Sequence, residues 1–354
     1  MTGPHAEIDV SAVVRNWRML AKRAGAANTA AVVKADAYGL GAEKIAPALA
    51  RAGCTSFYVA WPSEGETLRR LLGAGPDIAV FSGLSSETAA AHSEFALTAV
   101  LNTPEQVRLW LDMGSAAPRA ALHIDTGMNR LGVRPETCAD LASAMGSHAP
   151  ARLISHLACA DDPTDAMNQR QLDTFVEATR AWHGVPRSLS ATAGIYLGTA
   201  FCLDEVRPGI GLYGGGPSPL EGDAPEPVVR LTAPILQIRE LPAGETIGYG
   251  ATWTAPDDRV VATIGIGYAD GFLRTGSGRA VASVGGVICP LRGRVSMDLI
   301  GVDITGVAAQ VGDPAELIGP SVHVSDQAGH MATIDYELLT RIGPRVARSY
   351  VETQ

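Results

Sequence analysis

The chain has 354 residues, 46% of them hydrophobic and 18% charged, which describes a folded chain of about two domains rather than a disordered one. Lys and Arg number 28 against 37 Asp and Glu, a formal net charge of −9 that argues against a general nucleic-acid or anionic-membrane surface. No apolar run approaches the ~18 residues of a membrane span, so the expected partner is a small molecule or another protein.

The N-terminus, Met1-Thr2-Gly3-Pro4-His5-Ala6-Glu7, lacks the basic start, apolar stretch and cleavage site of a signal peptide, so a cytoplasmic location is expected. From there strand-like runs alternate with helical stretches: Thr29 to Val33, Ser56 to Ala60, Asp77 to Phe81, Leu97 to Leu101, Ala120 to Ile124, Leu153 to His156, Ser188 to Ala191 and Glu205 to Arg207. Between them lie helices such as Thr103 to Met113, which opens on a threonine cap followed by proline. Eight such units suit an α/β fold with a closed (β/α)8 TIM-type barrel, and an open doubly wound sheet could use similar pieces.

The texture changes near Gly214. The turn-rich segment 214–227 has no helical period and marks the boundary between a domain over 11–214 and a second over 228–354. Beyond it the runs Val228 to Glu240, Arg259 to Tyr268 and Arg279 to Cys289 predict a C-terminal all-β domain, with one short helix around Tyr336 to Arg341. The five cysteines are widely spaced and odd in number, which argues against a disulfide framework or a zinc site and favours buried, inert thiols.

The most informative stretch is AAVVKADAYGLGA, Ala30 to Ala42. A lysine ending an apolar strand either reaches solvent along its stem or gives up its charge, because an unpaired buried ammonium costs several kcal/mol. Barrel chemistry sits at the carboxyl ends of strands, where Lys34 falls, and an amine there suits Schiff-base chemistry. GIGLYG, Gly209 to Gly214, formally fits G-x-G-x-x-G, but Gly-Gly-Pro-Ser-Pro follows and cannot open the helix a dinucleotide site needs. Metal-binding spacings are absent from the eight histidines.

AVVKADAYGLG resembles the pyridoxal-phosphate attachment motif of bacterial alanine racemases. Further similarities follow in that family's order: HIDTGMNRLGV (123–133), SHLACAD (155–161), VRPGIGLYG (206–214), IGYGATW (247–253), IGIGYADG (264–271), GRVSMDL (293–299) and IDYELLTRIGPRVAR (334–348). The resemblance implies a cofactor-bearing barrel, a C-terminal β domain joined by a strand from residues 1–10, and a homodimer with shared active sites. It also implies interconversion of L- and D-alanine, and with it a supply of D-alanine for peptidoglycan.

Carried over residue by residue, the resemblance makes Lys34 the anchor of the internal aldimine and one acid/base. Racemisation needs proton exchange on both faces of a planar carbanion, and Tyr249, from the partner subunit, matches the opposing base. A free phenol titrates near pH 10, so its site must stabilise phenolate; His156 and Arg207 match the groups that do so. Arg207 also faces the pyridine nitrogen, where a group that only donates keeps that nitrogen unprotonated. Arg130 matches the residue contacting the cofactor's phenolic oxygen and the substrate carboxylate. Tyr38, Tyr336, Thr192 and the main-chain N–H groups of Gly209 and Ile210 would hold the phosphate. Met297 matches a main-chain contact to the substrate carboxylate. Tyr268, Asp161, Arg274, Arg294 and Arg348 resemble residues lining the substrate path, each with a surface ion pair as its alternative.

Two positions depart from the family pattern. His123 stands where many relatives carry a carbamylated lysine, so Arg130 must be held by water, an anion or the imidazole. SATAG, 190–194, replaces A-N-S-A-G, which keeps a hydroxyl at Thr192 and loses an amide at Ala191. Ala191 motivates the alternative of a broader alanine and serine racemase. A non-catalytic protein that binds pyridoxal phosphate for homeostasis is the alternative of another class, and the C-terminal domain with Tyr249 and Met297 argues against it. Related amino-acid decarboxylases share the architecture but use different carboxyl-terminal motifs.

Overall fold

Runs of β-branched and alanine residues with no polar alternation can only be satisfied by burial on both faces, which is the condition of a parallel sheet covered by helices. A computed structural model describes residues 3–146, 148–217 and 224–352. In it all residues of Ser56–Val59 and Thr98–Leu101 are buried. Neighbours pair in parallel in the order Ser56–Val59, Asp77–Val80, Thr98–Leu101, Ala120–His123, Arg152–Ile154, Arg187–Ser188 and Glu205–Val206. The first strand is shared: Asn28–Thr29 pairs with Glu205–Val206, and Ala31–Val32 pairs with Phe57 and Tyr58. That double pairing closes the sheet, so the barrel and not the open alternative is formed. The helix Pro104–Asp112 begins where the pattern placed it, with Thr103 accepting from the N–H of Gln106 at 3.2 Å.

Polar residues at strand starts plug the amino-terminal end of the barrel. Arg152 donates to Glu205 at 3.0 Å and to the Tyr58 hydroxyl at 2.8 Å, and pairs with Asp77; Arg152 and Glu205 are both buried. Removing one partner of such a network leaves buried charge uncompensated, which costs about 3–5 kcal/mol. Arg152→Leu is therefore expected to lower the urea unfolding free energy by about that amount. An unchanged midpoint and slope would contradict this account of the barrel floor.

The second sheet is antiparallel and also closed. It runs Arg259–Ile264, Ile300–Asp303, Val287–Arg292, Val281–Val284, Pro314–Ile318 and Val229–Leu241, and the last returns to the first. The 13-residue strand makes the closure by changing partner, pairing with Pro314–Ile318 as far as Pro234 and with Arg259–Ile264 from Ile235, with an irregularity between Ile235 and Gln237. The run 279–289 is not one strand as its composition suggested. Gly285 and Gly286, both at positive φ, turn it into a hairpin. A helix at Val324–His330, unforeseen in the pattern, precedes the expected one at Asp335–Thr340.

The strand His5–Asp9 joins this second sheet, antiparallel to the strand beginning at Val229 and parallel to Ala347–Val351. It passes directly into the helix Val10–Ala24, whose N-terminus Asp9 caps by accepting from Ala12 at 2.9 Å. Buried Asn16 on that helix donates to Leu212 and Glu226 carbonyls and accepts from the Glu226 N–H, holding the two ends of the connecting segment. Residues 218–223 of that segment, with 1–2 and 353–354, lie outside the described residues.

Candidate active site

Lys34 follows the strand Ala31–Val32 at its carboxyl end, and the backbone then turns in an unusual way. Ala35, Asp36, Ala37 and Tyr38 have φ of 53°, 55°, 52° and 58°, a left-handed turn that costs roughly 1–2 kcal/mol per L-residue. Surrounding bonds hold it. The Ala35 N–H donates to Glu64 Oε1 at 2.6 Å, while Glu64 Oε2 accepts from Ala60 and Trp61, and Asp36 accepts from Ala42. Glu64 escaped the sequence reading. Its signal was a glutamate three residues into a helix opened by proline, the signature of a capping box. Burial, then the charge of Arg130, lowers the Lys34 pKa, with Glu64 opposing, which makes the free amine easier to reach than in an exposed lysine.

Arg207 is buried, and its guanidinium donates to Ser188 Oγ at 2.5 Å, to the Ser155 carbonyl at 2.5 Å and to the Leu189 carbonyl at 3.4 Å. Among the described residues no carboxylate lies within ion-pair distance of it. His156 follows the strand Arg152–Ile154 and is pushed down to about 3 by burial, then by Arg207, Arg130, His123 and Lys34. His123, the last residue of its strand, is pushed down to about 4, first by burial. Both imidazoles are thus neutral at physiological pH. No hydrogen bond joins His156 to Arg207 among the described residues, so they are neighbours in field rather than bonded.

Arg130 projects from a turn shaped by Asp125, whose Oδ1 accepts from Gly127 and Asn129, both at 3.0 Å. It has no ion pair among the described residues. The opening thus combines the cations Lys34, Arg130 and Arg207 with neutral imidazoles, a field suited to an anionic ligand.

Opposite Lys34 lies a small cradle. Thr192 Oγ1 accepts from the N–H groups of Gly209 and Gly211, both at 3.1 Å, leaving its own proton to donate outward. Here the structure departs from expectation, since the Gly209 N–H is satisfied by Thr192 rather than free. A Cβ at position 209 would sit 2.3 Å from the Tyr38 hydroxyl, so only glycine admits that ring. Tyr38 stands between Tyr213 and Tyr336, with ring centroids at 4.7 and 5.8 Å. Burial raises both Tyr38 and Tyr336, the latter to about 12, so each hydroxyl remains a donor. Asp161 lies close enough to Tyr336 to contribute to that rise.

A second group of expected residues lies on the C-terminal sheet. Tyr249 is 71% exposed and Met297 53%. The Tyr268 N–H donates to the Ser296 carbonyl and the Ala269 N–H to the Met297 carbonyl, both at 3.0 Å, which gathers these turns into one patch. The Arg294 guanidinium lies against the turn carrying Tyr249, 3.1 Å from where a Cβ of Gly250 would stand. Arg274 lies in the adjoining turn, and neither arginine has an ion pair among the described residues. No hydrogen bond, ion pair or ring contact joins Tyr249 to Lys34, His156 or Arg207 within the chain. Arg348, expected on the substrate path, is engaged with main-chain carbonyls. Its nitrogens donate to the carbonyls of Gly39, Ile342, Gly343 and Val346, so it stitches the lysine turn to the second sheet.

Comparison with known proteins gives a consistent picture. Residues 8–217 match the family model described as alanine racemase, N-terminal domain, and residues 228–350 match alanine racemase, C-terminal domain. An alanine racemase from Methylobacterium nodulans is 45% identical, with 99% of this chain and 96% of that protein covered. One from Cereibacter sphaeroides is 47% identical, with 97% of each covered. The crystal structure of alanine racemase from Bartonella henselae with covalently bound pyridoxal phosphate is 34% identical, with a TM-score of 0.93 over 99% of this chain and 100% of that one.

Proposed function

The chain belongs to the alanine racemase family, and from that premise we propose a reaction with two bases on opposite faces of the substrate, Lys34 of one subunit and Tyr249 of a second. The protein is a pyridoxal-phosphate-dependent isomerase that interconverts L- and D-alanine. The observation that carries the two-base reading is the separation within one chain. Among the described residues no hydrogen bond, ion pair or ring contact joins Lys34 at its barrel strand end to Tyr249, which is displayed outward on the second domain.

The residues present fit the cofactor. Lys34 would anchor it, Tyr38, Tyr336, Thr192 and the Ile210 N–H would hold its phosphate, and Gly209 leaves the room that a Cβ would fill. When bound, pyridoxal phosphate supplies the electron sink that stabilises the carbanion left by loss of the α-proton. Arg207 can only donate, and its carbonyl and hydroxyl partners hold it in place, so it cannot deliver a proton to a ring nitrogen. Arg130 offers a planar fork to the substrate carboxylate, with the Met297 main chain of the other subunit as a further contact. Lys34 Nζ, its pKa lowered by burial, takes or returns the proton on one face. Tyr249 Oη does so on the other, with neutral His156 as its hydrogen-bond partner and Arg207 as the nearby charge.

Homodimerisation follows from this assignment, because one chain carries both members of the proton-transfer pair without bringing them together at one site. Exposed Tyr268, Arg274 and Arg294 would line the path to the neighbour's site, facing Asp161 and Tyr336.

The cradle carries its own prediction. Gly209→Ala should weaken retention of pyridoxal phosphate at least about tenfold, because the added methyl displaces the Tyr38 hydroxyl and costs one good hydrogen bond to an anion. Equilibrium dialysis of the folded variant measures this. Wild-type retention would remove Gly209 from the cradle.

A further inference from the structure

The site contains a buried polar relay that the two-base chemistry does not use. Asn102 immediately follows the strand Thr98–Leu101, and its side-chain nitrogen donates to the carbonyls of Phe81 and Val100, both at 2.9 Å. Those carbonyls can only accept, so they consume both amide hydrogens and fix the orientation of the side chain. Asn102 Oδ1 is therefore the atom 2.8 Å from His123 Nδ1, and as an acceptor it requires the imidazole proton to be on Nδ1. In the neutral ring Nε2 is then a lone pair.

The surroundings say what that lone pair is for. The charged and titratable groups around His123 are Arg207, Arg130, Asp125 and His156. Arg207 already has its nitrogens on Ser188, Ser155 and Leu189. Asp125 is engaged by the N–H groups of Gly127 and Asn129, and His156 is itself neutral. The loop carrying Arg130 returns to this strand end, with the Val133 N–H donating to the His123 carbonyl at 2.8 Å, and of the two arginines acting on His123 only Arg130 has no hydrogen bond or ion pair from its guanidinium among the described residues.

Resting on the reading of Arg130 as the substrate-carboxylate contact, we infer that His123 is its positioning residue: Asn102 holds the imidazole in the Nδ1–H form, and Nε2 is the acceptor left for the Arg130 guanidinium when it engages the substrate carboxylate, a hydrogen bond not made among the described residues. A neutral acceptor orients the fork without neutralising it, so the full cationic charge faces the substrate. The depressed basicity of His123 keeps Nε2 unprotonated well below neutral pH.

The holoenzyme provides two independent readouts. In ¹⁵N NMR of histidine-labelled protein, His123 is expected to show a protonated Nδ1 and an unprotonated Nε2 at pH 7. In kinetics, His123→Leu should raise KM for L-alanine about tenfold with kcat changed little, the loss of one oriented contact made equally in ground and transition states. His123→Gln, which keeps an acceptor, should restore most of that loss. Asn102→Asp should raise the basicity of His123, so its KM defect should be largest at pH 6 and fade by pH 9.

A proton on Nε2 in the wild type, or an unchanged KM in His123→Leu, overturns the inference. Should Asn102→Asp fail to fold, the Leu and Gln pair and the NMR spectrum still decide. Wild-type protein without racemase activity would instead defeat the underlying reading, so the two failures are distinct.

Discussion

Lys34→Ala is expected to abolish the bound-cofactor absorbance and to lower racemisation by more than about 10⁴-fold, since both the covalent anchor and one of two proton carriers are removed. The fold should survive the change. Lys34 is only half-buried, and the bonds that hold its turn come from the Ala35 N–H, Glu64, Asp36 and Arg348 rather than from the lysine side chain. Circular dichroism and the urea midpoint should match wild type while activity and absorbance vanish. Full turnover in the variant would sink the assignment of Lys34.

Tyr249→Phe should lower racemisation by about 10²–10⁴-fold with cofactor binding retained. Because the equilibrium between mirror-image amino acids is near unity, both overall directions must slow together. The separate bases are distinguished by exchange. In deuterated buffer the enantiomer whose α-hydrogen faces Lys34 should still exchange with solvent, while the other should not. Exchange of both enantiomers at wild-type rates would contradict the assignment.

The same residue tests the shared site. Lys34→Ala chains and Tyr249→Phe chains are each inactive as pure dimers, yet in a mixed dimer one site receives both intact residues. Random mixing makes half the dimers mixed, each with one good site, so about one quarter of wild-type activity should return. No recovery after verified exchange of subunits would refute a site built across two chains.

The barrel count was legible because parallel strands buried on both faces write themselves as short unbroken apolar runs, such as Ser56–Val59. Lys34 was legible because Asp36, Tyr38, Gly39 and Gly41 follow it in a specific pattern, where a lone lysine at a strand end would ordinarily reach out to solvent. The main-chain bonds of Arg348 were not legible because a guanidinium that binds main-chain carbonyls has the same sequence signature as one that faces a ligand. Glu64 was missed because the capping-box pattern marks only its bonds at the start of its own helix, while its bond to the Ala35 N–H, 29 residues away in the chain, leaves no mark in the sequence. The hairpin at Gly285–Gly286 was merged into one strand because its two arms share a composition.

By itself the sequence determined the alternation of elements, the change of texture near Gly214, the lysine at a strand end and the aromatic and arginine motifs around it. Those are properties of local spacing, set by which residues can be buried and which backbone turns glycine and proline allow. Only the tertiary structure decided that the first strand closes the barrel, that the left-handed turn after Lys34 is held by Glu64, and that Asn102 dictates which nitrogen of His123 carries its proton. Each of these depends on contacts between residues far apart in the chain, and direction and distance between such groups exist only once the chain has folded.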